Sequence, residues 1–269
     1  MTLLPTSHGP VEIRELRAIA EMIAAEDIQM KVWGKDENPA PKEIMISVQH
    51  EGGLLAGAFS PTGELVGLVF SFPTQNPAVS HSHLLATLEE WRGLGIGAAL
   101  KWFQRRWCLD HGIERVRWTV DPLRAANAEL NIRHLGGTAA TYYLDYYGAM
   151  EGIDAGAPTD RLLVEWDLRS ERVAARENHS PEDHGFPAAA PANRVERGLP
   201  VIAETGLTGA AVLVRIPETY VKLSRTHPEL ALTWRLHTRA IFQDAFAKGY
   251  MLTEFSRVGG PAYLLEQKG

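Results

Sequence analysis

The stretch that decides the fold is LEEWRGLGIGAALKWF, residues 88–103. Glycines stand at positions 93, 95 and 97, directly after Arg92, and apolar residues at helical spacing follow them. The pattern predicts a glycine loop that leads into a helix. The first N–H groups of a helix have no intrahelical partner and favour anions, and glycines let a phosphate approach them. The stretch therefore predicts a phosphate site, although a tight turn without a ligand would also explain the glycines.

Apolar patterns on both sides of the loop predict a mixed α/β fold. Residues 11–32 have the spacing of an amphipathic helix, and residues 53–72 predict an antiparallel hairpin. The other segments predict, in chain order, a strand (80–88), a helix (98–111), a strand (113–123), a short helix (125–135), two strands (138–148 and 160–168), a strand (210–217), a helix (228–250) and two strands (251–258 and 262–267).

Changes in composition predict the domain organisation. Residues 1–170 hold most of the periodic segments and predict one α/β domain. Residues 171–195 carry many charges and three prolines without a clear period, which predicts a linker or a surface strap. Residues 196–269 then predict a smaller α/β segment, which could fold back on the chain or complete a homodimer interface.

Composition also argues against several kinds of partner. The 269 residues carry a net charge of −6, which does not favour nucleic acid or an anionic membrane. The sequence lacks an apolar run of about 18 residues and the pattern of a signal peptide. Its single cysteine, Cys108, cannot form an internal disulfide, which fits a reducing compartment. We therefore expect a cytoplasmic protein that binds neither nucleic acid nor a membrane.

Two nucleotide-binding motifs are weak alternatives for the loop. The sequence GLGIGA satisfies the dinucleotide pattern G-x-G-x-x-G/A, but that pattern directly follows an apolar strand. Here residues 89–92 intervene, and an antiparallel hairpin comes before them. The Gly-Lys-Ser/Thr ending of a phosphate-binding loop is absent because Ala98 and Ala99 occupy its place. A nucleotide-dependent oxidoreductase is therefore disfavoured.

The segment TLEEWRGLGIGAAL resembles motif A of the GCN5-related N-acetyltransferase (GNAT) superfamily, whose loop reads Arg/Gln-x-x-Gly-x-Gly/Ala. The order of elements over residues 8–168 is similar to that fold, a mixed, mostly antiparallel twisted sheet with flanking helices. The resemblance implies acyl-CoA as the co-substrate, either acetyl-CoA or succinyl-CoA, and no metal. It implies that the backbone of the loop holds the pyrophosphate, namely Arg92, Gly93, Leu94, Gly95, Ile96, Gly97 and Ala98. It further implies that the backbone of Thr87 and Leu88 pairs with the pantetheine arm, with Asn127 as another cofactor-binding candidate.

Acyl transfer to an amine needs a group that accepts a proton, and a histidine pair precedes the loop. His81 and His83 are two residues apart on a predicted strand, so both should lie on one face. Serotonin N-acetyltransferases of the same superfamily carry a similar His-x-His at this place, which makes both histidines candidates for the base. The alternative is a structural pair that faces solvent or satisfied neighbours.

The general acid is less clear. Many family members carry a tyrosine on the short helix, but the matching places here are Ile132 or His134, depending on the anchor. The nearby TYYLDYYG offers four tyrosines, of which Tyr147 is the catalytic candidate. Strand alternation predicts that Tyr143 and Tyr147 share one face. Packing is the alternative role for each ring, and water could instead protonate the leaving thiolate.

Three residues are candidates for binding the acceptor. Trp33 lies between the first helix and the hairpin, where this fold gathers acceptor-binding residues. Trp118 could line the acceptor pocket or belong to the core. Arg161 could bind a carboxylate with its planar fork, or form a surface pair with Asp160 or Glu165. We expect Arg235 and Arg239 on the last helix to face solvent.

Two functions remain open from the sequence. The first is an acyl-CoA-dependent N-acyltransferase that acts on a small amine or an amino acid. Several segments, including WTVDPL and DRLLVEW, also resemble a subgroup with a C-terminal extension, some of whose members are amino-acid N-succinyltransferases. The second is a non-catalytic acyl-CoA-binding or sensing module, which the missing helix tyrosine favours.

Overall fold

The computed structural model describes residues 1–34, 39–148, 158–179, 181–203 and 207–267. Two compact units are present within these residues. The first unit comprises Met1–Trp118 and Asp167–Arg169. The second comprises Thr119–Trp166 and Ser170–Gly269. The composition of the sequence divides the chain at residues 170 and 195. That division is not the same as the division into these two units, and it remains a prediction.

The first unit alternates strands with helices on either side of a central hairpin. Its elements are β1 (Thr2–Leu4), β2 (Val11–Glu15), α1 (Ile19–Trp33), α2 (Lys42–His50), β3 (Leu54–Phe59), β4 (Leu65–Pro73), β5 (Val79–Thr87), a 3₁₀ turn (Glu89–Trp91), α3 (Ile96–Asp110) and β6 (Arg115–Val120), whose last two residues belong to the second unit.

The strands of the first unit are ordered β1-β2-β3-β4-β5-β6. All neighbours are antiparallel except β5 and β6, which are parallel. Strands β3 and β4 are almost fully buried and form the centre of an apolar core that also includes Met22, Ile28 and Leu100. This mostly antiparallel sheet with flanking helices confirms the predicted fold class, the 53–72 hairpin and the helix after the glycines.

The predicted helix over 11–32 is wrong in its first part. Residues 11–15 form β2, in which Val11 and Ile13 are fully buried while the alternate side chains are partly exposed. Helix α1 begins only after Ala18, where the Glu21 carboxylate accepts hydrogen bonds from the N–H groups of Arg17 (2.7 Å) and Ala18 (3.1 Å). Ile13 fits the alternation from Val11 and also the helical spacing to Leu16, so periodicity alone could not locate this boundary. Helix α2 was not predicted.

The second unit contains the remaining elements of the chain. They are α4 (Ala125–Ala128), a π-helical turn (Glu129–His134), β7 (Thr138–Tyr143), β8 (Arg161–Asp167), α5 (Glu171–Asn178), β9 (Ala190–Pro191), β10 (Asn193–Glu196), β11 (Leu199–Ile202), β12 (Ala211–Arg215), α6 (Tyr220–Thr226), α7 (Pro228–Ala247), β13 (Tyr250–Ser256) and β14 (Ala262–Gln267).

Strand pairing in the second unit joins segments that are far apart in sequence. Its strands are ordered β8-β7-β13-β14-β12-β9, and β10 and β11 form a separate hairpin. The pairing of Leu252 with Ala139 places β13 beside β7, so residues 138–143 share a sheet with the C-terminal strands. Residues 171–178 form α5, which Ser170 caps by accepting the N–H of Val173 at 3.3 Å. The expectation of an irregular segment from residue 171 is therefore wrong for its first eight residues.

Two arginines on α7 are paired with buried carboxylates, and the expectation that they face solvent is wrong. Arg235, 2% exposed, forms a bidentate pair with Asp121 at 2.8 and 2.7 Å. Arg239 forms a second bidentate pair with the fully buried Asp160, at 2.8 Å for both bonds. Burial opposes ionisation of Asp121, but the charge and hydrogen bonds of Arg235 override it and lower the pKa of Asp121. Each pair holds α7 against the polypeptide that leads into or out of a strand.

Arg235→Met should reduce the free energy of unfolding by about 3–5 kcal/mol, because it leaves the Asp121 carboxylate buried and uncompensated. Lys248→Met is the matched control on the same helix, since its 2.8 Å pair with Asp244 is about half exposed. The control should cost less than about 1 kcal/mol. Urea denaturation of both variants measures the difference, and equal losses would contradict a structural role for the buried pair.

Candidate functional site

The glycine loop has the backbone geometry of an anion site. Gly93 and Gly95 have φ angles of +78° and +79°, a region in which side chains are strained. A Cβ atom at either position would meet nothing within 4 Å, so the loop faces open space rather than packed neighbours. Gly95 caps α3, and the first helical hydrogen bond runs from Ala99 N–H to Gly95 O at 2.9 Å.

Six successive backbone N–H groups, those of residues 93–98, have no acceptor within the part of the chain that the structure describes. Three of them belong to the first turn of α3, where a helix cannot supply acceptors and its dipole is positive. Arg92 precedes them with an exposed guanidinium, whose Nε donates to the Thr87 carbonyl at 3.3 Å. These features fit the diphosphate of a coenzyme A, which supplies several anionic oxygens at once.

An open edge of β5 leads to this loop. The ladder between β5 and β6 pairs only Val79, Ser80 and His81 of β5, so its later residues have no β6 partner. Leu88 N–H donates to Val66 O (3.0 Å), and Leu88 O accepts from Trp91 N–H (3.0 Å). The Leu88 N–H is therefore already bonded to β4, and a backbone contact between Leu88 and the pantetheine arm stays a prediction. Thr87 alternates with Leu88 along the antiparallel pair, so its N–H points away from β4 toward the open edge.

The histidine pair lies on β5 beside two phenylalanines of β4. His81 stacks on Phe72 with ring centroids 4.9 Å apart and planes 22° apart. His83 lies 5.8 Å from the same ring and 5.9 Å from Phe70. The β4–β5 register pairs Phe70 with Leu84 and Ser71 with Ser82, so His83 is the extra residue of a β-bulge. Bulges redirect side chains, and here the bulge presents an exposed imidazole.

Both imidazoles favour the neutral form. Burial of the partly exposed His81, with the charges of His83, Arg117 and Lys101, lowers its pKa to about 4. Desolvation by the surrounding rings lowers the pKa of His83 as well, although much of its surface remains accessible. A neutral imidazole has a lone pair available at pH 7, which a general base requires.

Trp118 does not lie with the imidazoles. It is 7% exposed, and the Lys101 ammonium lies 3.7 Å from its ring centroid. Lys101 also donates to Ser82, which alternates with the two histidines and so faces the other side of β5. These contacts favour the packing role of Trp118, and its role in binding the acceptor stays a prediction. Trp33 ends α1, is partly buried and packs against the core of the first unit.

The remaining predicted residues lie in the second unit. Tyr147 is 50% exposed, and its hydroxyl lies 3.0 Å from Thr119 Oγ1. Strand β7 ends at Tyr143, and Tyr143 stacks on Tyr146 with centroids 4.9 Å apart, so the predicted alternation of the tyrosines is wrong. The turn that follows β7 changes the direction of the chain and ends the period of two.

Arg161 and Asn127 also belong to the second unit. Arg161 is 8% exposed and donates to the backbone carbonyl of Asp160 at 3.0 Å, rather than to its carboxylate. Its guanidinium carbon lies 5.1 Å from the Tyr147 ring centroid. Asn127 lies on α4, and its carbonyl accepts from the Asn131 side chain at 2.8 Å.

Comparison with known proteins identifies one matching family model. Residues 19–132 match the model of the acetyltransferase (GNAT) family. The match spans less than half of the 269 residues. The match includes the loop, both imidazoles and Asn127, whereas Tyr147 and Arg161 lie outside it. No curated protein matches the chain.

Several solved structures are similar to part of this chain. They include the ribosomal-protein-S18-alanine N-acetyltransferase from Escherichia coli, 18% identical over 60% of this chain and 95% of that chain, with a TM-score of 0.49. Ard1 from Thermoplasma volcanium is 16% identical over 60% and 99%, with a TM-score of 0.47. The IAA acetyltransferase from Bacillus cereus is 18% identical over 58% and 99%, with a TM-score of 0.45.

Two further observations concern all of the residues that the structure describes. They contain no group of three or more His, Cys, Asp or Glu side chains arranged to hold a metal ion. None of their helices combines the length and the apolar character that crossing a membrane requires.

Sequence reasoning missed three residues beside the imidazoles. They are Phe72, Arg117, which pairs with His81 in the β5–β6 register, and the buried Lys101. A helical signal for Lys101 was available, because positions 101, 104 and 108 share one face of α3 and are all buried.

Gly95→Glu should abolish measurable CoA binding, a loss of at least about 100-fold, because the new carboxylate would occupy the diphosphate position. Gly112→Glu is the matched control, since Gly112 has a φ of +75° and open space at its Cβ, but lies beyond the other end of α3. Both variants carry the same kind of backbone strain, about 1 kcal/mol or more. Titration calorimetry with CoA should separate them, and retained binding by Gly95→Glu would refute the loop as the cofactor site.

Proposed function

We propose that this protein is an acyl-CoA-dependent N-acyltransferase that moves an acetyl or succinyl group to the amine of a small molecule. The observation that carries the proposal is the run of unpartnered N–H groups over residues 93–98, next to a strand that bears two neutral imidazoles. The GNAT family model over residues 19–132 supports the same reaction class.

In this proposal the loop holds the donor. The diphosphate binds the backbone of residues 92–98, with the Arg92 guanidinium as an added charge. The pantetheine arm extends along the unpaired edge of β5 and accepts a hydrogen bond from Thr87 N–H. The thioester then lies toward the histidines, because the β5–β6 ladder ends at His81. Asn127 remains a further candidate contact to the cofactor.

The chemistry follows from the neutral imidazoles. The acceptor amine must lose a proton before or as its nitrogen attacks the thioester carbonyl. His83, exposed on the bulge, accepts that proton directly or through water. The N–C bond forms, the tetrahedral oxyanion collapses, and the C–S bond breaks with the electron pair on sulfur. The thiolate is then protonated, either by Tyr147, which we retain as the candidate acid, or by water.

The acceptor class is the least constrained part of the proposal. We propose an amino acid or a similar small amine, with Trp33 and Arg161 as candidate contacts and Arg161 as a partner for a carboxylate. The buried free thiol of Cys108 is in keeping with a cytoplasmic location. A homodimer is a further proposal. The use of succinyl-CoA rather than acetyl-CoA is another, which the experiment below addresses.

One observation favours a second candidate, a non-catalytic acyl-CoA-binding module. The two places where family members carry the acidic tyrosine hold the buried Ile132 and His134, whose Nε2 lies 3.4 Å from Glu129. Neither supplies a phenol. A protein that binds acyl-CoA but releases no thiol would have this second function.

A two-stage experiment tests the proposed function. Thermal stabilisation by CoA, acetyl-CoA, succinyl-CoA, NAD and ATP should be limited to the three coenzyme A compounds. Thiol release should then be measured for acetyl-CoA and succinyl-CoA with each of the twenty amino acids and a panel of simple amines. Stabilisation without thiol release for any acceptor would leave the sensing module as the function, and stabilisation by NAD alone would contradict both.

His83→Ala should lower kcat at least about tenfold while leaving the CoA dissociation constant unchanged, because the proton acceptor is lost but the loop is not. His50→Ala is the control, since His50 is exposed at the end of α2. Steady-state thiol release and calorimetry with CoA measure the two quantities. An unchanged kcat would remove His83 from the mechanism.

A further inference from the structure

A buried polar cluster lies beneath β5, on the face opposite the imidazoles. Its centre is the ammonium of Lys101 on α3, which is 2% exposed. Lys101 Nζ donates to Gln104 Oε1 at 2.6 Å and to Ser82 Oγ at 3.2 Å, and it lies 3.7 Å from the ring centroid of Trp118. Ser82 Oγ is in turn 3.4 Å from Gln104 Oε1. We call Lys101, Ser82, Gln104 and Trp118 the lysine cluster.

The lysine cluster holds a cation at a place where burial makes a cation costly. Desolvation lowers the pKa of Lys101 to about 7, although Cys108 acts in the opposite direction. An apolar residue in this position of α3 would avoid that cost, as Ile96 and Leu100 do at other buried positions of the helix. The charge therefore needs a reason other than packing.

The position of Ser82 supplies a reason. Ser82 lies between His81 and His83 in sequence, so its hydrogen bond holds the ammonium on the face of β5 opposite the imidazoles. A second cation lies on the other side, because Arg117 of β6 pairs with His81 in the parallel register. His81 therefore has two neighbouring cations and a phenylalanine stacked on its ring. His83 is exposed, and burial is the cause that lowers its proton affinity.

We propose that Lys101 is a positioning residue that acts together with the burial of His81 against Phe72 and with Arg117 to keep His81 neutral, so that the proton released by the acceptor amine goes to His83 alone. This inference rests on the proposed function for its catalytic meaning, since the imidazoles must be the proton acceptor. Its physical part, the unequal proton affinity of two neighbouring imidazoles, is a property of the free protein.

The signs of the charges agree with this assignment. Burial lowers the pKa of His81 most, and a protonated His83, Arg117 and Lys101 lower it further, because a cation near an imidazole disfavours the imidazolium. Lys101 is charged below about pH 7, which includes the range in which an imidazole binds a proton. The pair therefore takes up its first proton on His83, and the second requires a much lower pH.

A single proton acceptor has a consequence for turnover. If both imidazoles bound the proton equally, half of the protonated molecules would hold it on His81, which stacks on Phe72 and is less exposed. Confinement of the proton to His83 leaves it on the imidazole that faces solvent and can release it. The cluster acts through His81 and not on the substrate, so Lys101 is a positioning residue and not a catalytic one.

Histidine titration by NMR on the free protein tests the inference. In the native protein the His81 midpoint should lie below that of His83. Lys101→Met should raise the His81 midpoint by about half a pH unit and leave that of His83 within about 0.2. Ser82→Ala keeps the ammonium and removes only its hydrogen bond to β5, so the His81 midpoint should remain low. Arg117→Met should raise the His81 midpoint independently.

Each of the following results would either support the inference or overturn it. If Lys101→Met does not fold, Lys101→Met with Gln104→Leu removes both polar partners and suits an apolar interior better. An unchanged His81 midpoint in a folded variant, or a native His81 midpoint above that of His83, would overturn the inference. Because no CoA or acceptor is present, these results do not depend on acyl transfer. A raised midpoint with unaltered thiol release would uphold the charge effect and remove the imidazoles from the proposed mechanism.

Discussion

The six backbone N–H groups of residues 93–98 that have no acceptor within the described chain are the constraint on which the site depends. Gly93 and Gly95 have positive φ angles, and a Cβ atom at either would meet nothing within 4 Å, so this part of the loop is not packed against neighbours. Unpaired N–H groups are costly when they are dry, so this loop is stable only when exposed to water or to an anion. An anionic cofactor therefore gains binding energy that the polypeptide alone cannot recover.

Strand β5 connects the glycine loop to the two histidines, and its two edges and two faces have different contacts. One edge pairs with β4, while the other is unpaired after His81 and offers backbone groups to a ligand. One face carries the imidazoles beside Phe72, and the other carries Ser82 over a buried ammonium. The bulge at His83 separates the two histidines in exposure although they are two residues apart. A regular strand would have given them similar surroundings.

Buried ion pairs fix the position of helix α7 in the second unit. Arg235 and Arg239 lie one helical turn apart, and each forms a bidentate pair with a carboxylate at most 4% exposed. Tyr142 donates to the carboxylate of Asp160 at 2.8 Å, which adds a phenol to the second pair. Such networks specify one arrangement of the helix on the sheet, because any other would leave a charge buried without a partner.

Local signals in the sequence were sufficient for the hairpin, the glycine loop, α3 and the paired histidines, because turn chemistry and periodicity depend on neighbouring residues. The same signals could not distinguish β2 from a helix at Ile13, since this residue fits both the alternation from Val11 and the helical spacing to Leu16. Only the tertiary structure decided that Arg235 meets Asp121, 114 residues away, and that Lys101 lies beneath Ser82 rather than in solvent. Burial of other residues brings those partners together. The sequence does not show whether a charged side chain will contact water or a buried carboxylate.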